Sequence, residues 1–170
     1  MAVTDKSGEP RPRLWIFGAG HVGTELAAVA GETGFDVVVV DERDEWADSS
    51  RFPSSIEVHD ADPIDLIRAG RVDEGDWVVV MTHSHPLDED IIRLLLPVSL
   101  SFLGMIGSRG KWARFVQRFR ARDVPDEQIE RVYCPVGLDI GAQTPAEIAL
   151  SIVAQLVQIR RDGPKWASSS

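Results

Sequence analysis

The stretch LWIFGAGHVGTELA, residues 14–27, decides how the rest of the chain is read. Four apolar residues, Leu14 to Phe17, stop at Gly18-Ala19-Gly20-His21-Val22-Gly23. A run follows with Val22, Leu26, Val29 and Ala30 at helical spacing. This reads as a short buried strand, a tight turn and a helix over 21–33. A G-x-G-x-x-G placed between strand and helix is a phosphate-binding turn. Gly18 permits the turn, Gly20 lets backbone approach a pyrophosphate, and Gly23 lets the helix sit close to the strand. The helix opens at His21 and Val22, where free amides face the anion. Asp41 ends the next strand, about twenty residues on, and is placed to bind a ribose diol. Arg43 either faces a 2′-phosphate or pairs with Asp41, Asp44 or Glu45, and the ion pair is the favoured reading. A carboxylate at Asp41 repels a 2′-phosphate, so an NAD-like ligand is preferred to an NADP-like one.

Beyond this unit the pattern alternates. Strands are predicted over 35–40, 56–59, 77–81 and 101–106. Helices are predicted over 63–69, 87–96, 111–121, 126–131 and 144–161. The last opens on Thr144-Pro145-Ala146-Glu147, a capping box with proline at the first helical position. Strands without polar alternation are buried on both faces. Alternation with helices implies right-handed crossovers and a parallel sheet. The predicted fold class is α/β, a doubly wound, mostly parallel, three-layered Rossmann-like domain over 13–162. Its strand order is 3-2-1-4-5, with a sixth strand near residues 132–134. Residues 1–12 read as a disordered lead-in and 163–170 as a tail whose Trp166 is expected to pack onto the domain.

Bulk properties narrow the function. A length of 170 residues suits one domain. A net charge of −9 argues against nucleic-acid binding, which needs a surplus of Lys and Arg. No apolar run reaches the ~20 residues of a membrane helix. The polar start carries no secretory signal. The single cysteine, Cys134, excludes an internal disulfide framework and suits a reducing compartment, so a cytoplasmic location is expected.

Three further motifs fall at the carboxyl ends of predicted strands, where such sheets bind ligands. MTHSHPLDED, residues 81–90, presents Thr82 and His83 as ligand contacts. Two imidazoles two apart on an extended segment point the same way, and Asp88 follows. The set is similar to the His-x-His-x-Asp-His site of metallo-β-lactamase-like hydrolases. The acid is one position too far and the adjacent ligand is missing, so no metal is expected. His85 is divided between ligand contact and bonding to loops, with Asp88 capping its helix. GMIGSRGK, residues 104–111, offers Gly107, a Ser108 helix cap, and Arg109 and Lys111 in the first turn. Cations there oppose the helix dipole unless an anion sits between them and the amides. Ser108, Arg109 and Lys111 are the expected second phosphate or carboxylate site; the alternative is two solvated cations. CPVGLDIGAQTPAEIA, residues 134–149, adds Asp139 as a polar contact and Gly137 and Gly141 as turn formers. Cys134, beside a proline, reads as packed rather than as a persulfide carrier. No spacing ties a general base to a nucleophile, so no catalytic residue is assigned.

Taken in order, GAGHVG at 18–23, VVDER at 39–43, RFP at 51–53, MTHSHPLDED, GMIGSRGK and GLDIGAQTPAEIA at 137–149 resemble one family. It is the Rossmann-type C-terminal domain of the XdhC/CoxI family, the xanthine dehydrogenase accessory factors. The resemblance spans residues 14–161. It implies a maturation chaperone for a molybdenum hydroxylase of the xanthine or carbon monoxide dehydrogenase type. Such factors bind the molybdenum cofactor, as molybdopterin or its dinucleotide, protect it during sulfuration and deliver it to the apo-enzyme. By resemblance, Gly18, Gly20, Gly23, Asp41, Arg43, Thr82, His83, Gly107, Ser108, Arg109, Lys111, Asp139 and Gly141 occupy the family's motif positions. The implied partners are the apo-hydroxylase, a cysteine desulfurase, and a separate chain supplying the N-terminal domain that family members usually carry. A homodimer with an exposed Trp112 at its contact is a further expectation. Two alternatives come from the residues alone. One is an NAD(P)-dependent oxidoreductase with His83 or His85 as the acid–base group. The other is a nucleotide-sensing regulatory domain.

Overall fold

In the computed structural model, which describes residues 3–165, five parallel strands form one sheet. They are β1 (Arg13–Phe17), β2 (Asp36–Asp41), β3 (Glu57–Asp60), β4 (Trp77–Val80) and β5 (Phe102–Met105). The order is β3-β2-β1-β4-β5, as predicted. Among the described residues, the α-helices α1 (His21–Glu32), α2 (Pro63–Arg68) and α3 (His85–Leu95) lie between strands, and α4 (Arg109–Arg120), α5 (Asp126–Glu130) and α6 (Pro145–Asp162) follow β5.

The strands show why the sheet is covered on both faces. Leu14, Ile16, Val37, Val39, Trp77, Val79 and Phe102 join one core, with Leu26, Ala30, Ile152 and Leu156 of α1 and α6. Their neighbours Trp15, Phe17, Val38, Val40, Val78, Val80, Leu103 and Met105 join the other, with Ile91, Leu95, Phe115 and Phe119 of α3 and α4. Successive strand side chains alternate in direction, so an unbroken apolar run feeds two layers. Each fully buried branched or aromatic residue contributes about 1.5–3 kcal/mol relative to exposure. The sheet is thereby a rigid base for the loops at its carboxyl edge.

Several boundaries differ from the sequence expectation for identifiable reasons. α3 begins at His85 rather than 87, because the Ser84 side chain accepts from Leu87 N and Pro86 suits the first turn. α4 begins at Arg109 rather than 111, because Ser108 caps it through Lys111 N. The expected sixth strand reduces to one parallel bridge, Gly104 to Tyr133, held by Tyr133 N to Leu103 O and Met105 N to Tyr133 O. Pro135 follows and has no N–H to extend a ladder. This segment crosses β5 so closely that a Cβ on Gly104 would lie 2.6 Å from Val136 Cγ2. Over residues 3–12, where disorder was expected, the chain turns back on itself. Thr4 pairs with Pro10, and the Asp5 carboxylate accepts from the backbone N–H of Ser7 and Glu9. Trp166 lies outside the described residues. Trp112 is half-buried against Phe119 rather than exposed, at 6.2 Å between ring centroids.

Candidate functional site

The three glycines of the first turn have different reasons to be glycine. Gly18 has φ +120°, and a Cβ there would strike Met81 O at 2.2 Å. A Cβ on Gly23 would meet Gly18 O at 2.1 Å. Both are dictated by the fold itself. Gly20 is not: its φ is −67°, and apart from its chain neighbours and the turn of α1 that it opens, no described residue comes within 4 Å of where its Cβ would stand. It is the N-cap of α1 and makes no side-chain cap. By contrast α2, α3, α4 and α6 are capped by Asp62, Ser84, Ser108 and Thr144. The start of α1 thus keeps its backbone donors free of side-chain acceptors, beside open space. Arg51 fixes the turn from behind, donating to Ala19 O at 2.9 Å, to Trp46 O and to Thr24 Oγ1 at 2.9 Å.

A cavity of about 640 Å³ opens there, between the ends of β1, β4 and β5. Gly20, His21, Val22 and Gly23 form one wall. Met81, Thr82, His85 and Asp88 form the second. Ile106, Gly107, Ser108, Lys111 and Arg114 form the third, with Pro145 of α6 at the edge. Asp88 is only 2% exposed and organises the second wall. Its Oδ1 accepts from Thr82 N at 2.9 Å and lies 2.7 Å from the Thr82 hydroxyl, while its Oδ2 accepts from Lys111 Nζ at 2.7 Å. The loops after β4 and β5 are therefore tied together by one buried ion pair. Gly107 makes room for the lysine stem, since a Cβ there would stand 2.9 Å from Lys111 Cδ.

This corrects the second anion site expected from sequence. Lys111 is not a free cation: its charge is matched by Asp88, and its ammonium also reaches Ile106 O at 3.3 Å. Arg109 is exposed and does not line the cavity. The fixed positive charge belongs to Arg114, which has no ion pair among the described residues. Ser108, Lys111 and Arg114 recur every three residues and share one helix face. Arg114 lies roughly 60° around the helix from Lys111, and Arg109 roughly 160° from Lys111. That periodicity was readable in the sequence and would have found Arg114. His85, left divided by the sequence, lines the cavity. Asp88 does not cap α3; it holds the Thr82 loop.

The other half of the crevice, between β2 and β4, is closed. Asp41 is 3% exposed, and its two oxygens accept four N–H groups. Ala19 N and Arg43 Nη2 reach Oδ2 at 2.8 and 2.7 Å; Arg43 N and Nε reach Oδ1 at 3.0 and 2.8 Å. Burial alone pushes this carboxyl's pKa up, and the bonds from Arg43 and Ala19 outweigh it, so its pKa lies below the usual value. The favoured Arg43–Asp41 pair is thus what the structure contains, and it leaves Asp41 no acceptor for a ribose. Arg43 also stacks on Trp46 at 4.9 Å. His83 and His85 do not point the same way, because the extended chain turns into α3 between them. His83 Nε2 lies 3.8 Å from Glu42 Oε1, over the closed half.

Asp139 and Gly141 are exposed on the loop before α6 and do not line the cavity. Burial pushes the Cys134 thiol up to about 11, so it is protonated at neutral pH. Among the described residues no group of three His, Cys, Asp or Glu is placed to hold a metal ion. No helix among them is long and apolar enough to cross a membrane.

Against known proteins, the XdhC Rossmann domain family matches residues 14–156. A Bacillus subtilis (strain 168) protein named as a probable xanthine dehydrogenase subunit is 37% identical over 153 residues, covering 90% of this chain and 44% of that one. The Escherichia coli (strain K12) protein YqeB is 34% identical over 155 residues, covering 91% and 28%. The crystal structure of a Bacillus halodurans protein described as a xanthine dehydrogenase superposes with a TM-score of 0.82 at 37% identity, covering 96% of this chain and 46% of that one. The chain spans less than half the length of these three relatives. On the family match and these identities, the chain belongs to the XdhC family and carries its Rossmann domain.

Proposed function

We propose that this domain is the cofactor-holding part of an accessory factor for a molybdenum hydroxylase, with molybdenum cofactor as its cargo. The relatives named for xanthine dehydrogenase support the enzyme class. The observation that carries the holding role is the open space over Gly20, beside a helix start without a side-chain cap, in a cavity of ordinary ligand size. A phosphate suits that position, since amides at a helix start and the dipole both favour an anion. Arg114 supplies a fixed positive charge nearby, and His21 and His85 supply donors. The Asp88–Lys111 pair contributes no net charge and keeps the walls together.

The chemistry is sequestration and handover. The cargo brings its own metal centre; the amides at the start of α1, with Arg114, hold the phosphate, and the cavity walls shield the rest from water. The protein partner is the apo-enzyme that receives the cargo, in the cytoplasm.

Anaerobic gel filtration tests this reading. The chain, mixed with molybdenum cofactor released from a donor protein, is expected to co-elute with it and to pass it to an apo-hydroxylase. Arg114→Ala is expected to retain at least about tenfold less, in keeping with the loss of one charge-assisted contact. No retained cofactor, or equal retention by the variant, would contradict the proposal.

A further inference from the structure

Arg43 holds the carboxylate that a dinucleotide's second nucleoside would need. In a doubly wound sheet, the pyrophosphate lies on the first helix and one nucleoside runs towards the end of the second strand, where an acid takes its ribose hydroxyls. Here that acid is Asp41. Two backbone N–H groups and two guanidinium N–H groups fill its acceptor positions. The space beside it, bounded by Gly18, Asp41, Pro63, Thr82, His83 and Leu87, is too narrow to admit a water molecule. Glu42 and His83 approach across its mouth. On the other side of the same glycine turn lies the cavity of about 640 Å³.

We propose that Arg43 makes this crevice selective for a ligand that presents a single phosphomonoester on a compact ring system, by occupying the Asp41 carboxylate that a dinucleotide's second nucleoside requires. The inference rests on the α1 start holding the phosphate, as proposed above, and adds the chemical class of what is held.

The energetics favour closure. A ribose binding Asp41 must displace Arg43. It exchanges charge-assisted bonds, between a carboxylate and a guanidinium, for hydroxyl bonds to the same carboxylate. The guanidinium then loses its only acidic partner at hydrogen-bond distance among the described residues, and its stacking on Trp46. A phosphomonoester at α1 asks none of this. Its ring system extends the other way, past Met81 and Ile106, towards α4.

Competitive calorimetry with neopterin 3′-monophosphate, neopterin and NAD⁺ tests the inference on the whole chain. The wild type is expected to bind the monophosphate at least about tenfold more tightly than either other compound, a difference of about 1.4 kcal/mol. Arg43→Ala is expected to improve NAD⁺ binding by about tenfold and to leave the monophosphate within about twofold. Glu42→Ala changes an exposed residue at the same mouth and is expected to improve NAD⁺ binding to a smaller degree, which covers the case that Arg43→Ala does not fold. NAD⁺ matching the monophosphate in the wild type, or gaining nothing in the variants that fold, overturns the selectivity while leaving the phosphate position intact. Neopterin matching its monophosphate overturns the phosphate position itself.

Discussion

At Asp41 the local chemistry sets how the protein responds to acid. Its pKa is held below the ordinary value of 3.8, so its contribution to stability is present above that value and is lost as pH falls through the lowered one. The melting temperature is expected to decline below about pH 4 in the wild type. In Arg43→Gln the carboxylate loses its guanidinium, and the decline is expected to begin at higher pH; thermal melts from pH 2 to 6 check this. Cys134 is the opposite case. With its thiol at about 11 against an ordinary 9.0, iodoacetamide at pH 8 is expected to label it about a hundredfold more slowly than a free thiol. Labelling at the free-thiol rate would contradict its burial. The residue types at these positions were legible in the sequence, but their partners were not. Whether an arginine two residues past an acid faces solvent, a ligand or that acid depends on side-chain torsions that spacing does not fix. Trp46 settles it here by stacking under Arg43.

Elements were more legible than contacts. The β-branched runs and the capping box at Thr144 announced β2, β4 and α6, because burial on both faces and a reciprocal cap leave direct marks in the sequence. The tie between α3 and α4 left no such mark. Asp88 and Lys111 are 23 residues apart, and only the β4–β5 pairing brings them to 2.7 Å. Removing one member strands a buried charge. Lys111→Met is therefore expected to cost about 3–5 kcal/mol by urea unfolding, and Asp88→Asn combined with Lys111→Met distinctly less than the sum of the two single changes. Additive costs would mean that the two side chains do not act as a pair. The same geometry separates this lysine from any direct part in anion binding: its substitution disturbs the cavity wall rather than removing a contact.

Over the whole molecule the net charge is −9, while the cavity carries Arg114, two imidazoles and a helix start without a side-chain cap, beside a neutralised Asp88–Lys111 pair. A local electropositive site on an acidic protein suits a small anionic cargo and excludes a polyanion, which would meet the surrounding repulsion. The strand order and the place of the crevice followed from alternation alone. Which half of the crevice is open did not, because it turns on Arg43 and on the packing of His83 against Glu42. The central claim is that phosphate occupies the space over Gly20, and one substitution isolates it. Gly20→Ala adds a methyl that meets no described residue beyond its chain neighbours and the start of α1, at a φ any residue adopts, so stability is expected to change by no more than about 1 kcal/mol. Titration of this variant with neopterin 3′-monophosphate is predicted to show at least about a tenfold loss of affinity while the melting temperature moves by no more than about 5 °C. An affinity equal to that of the wild type would contradict the account.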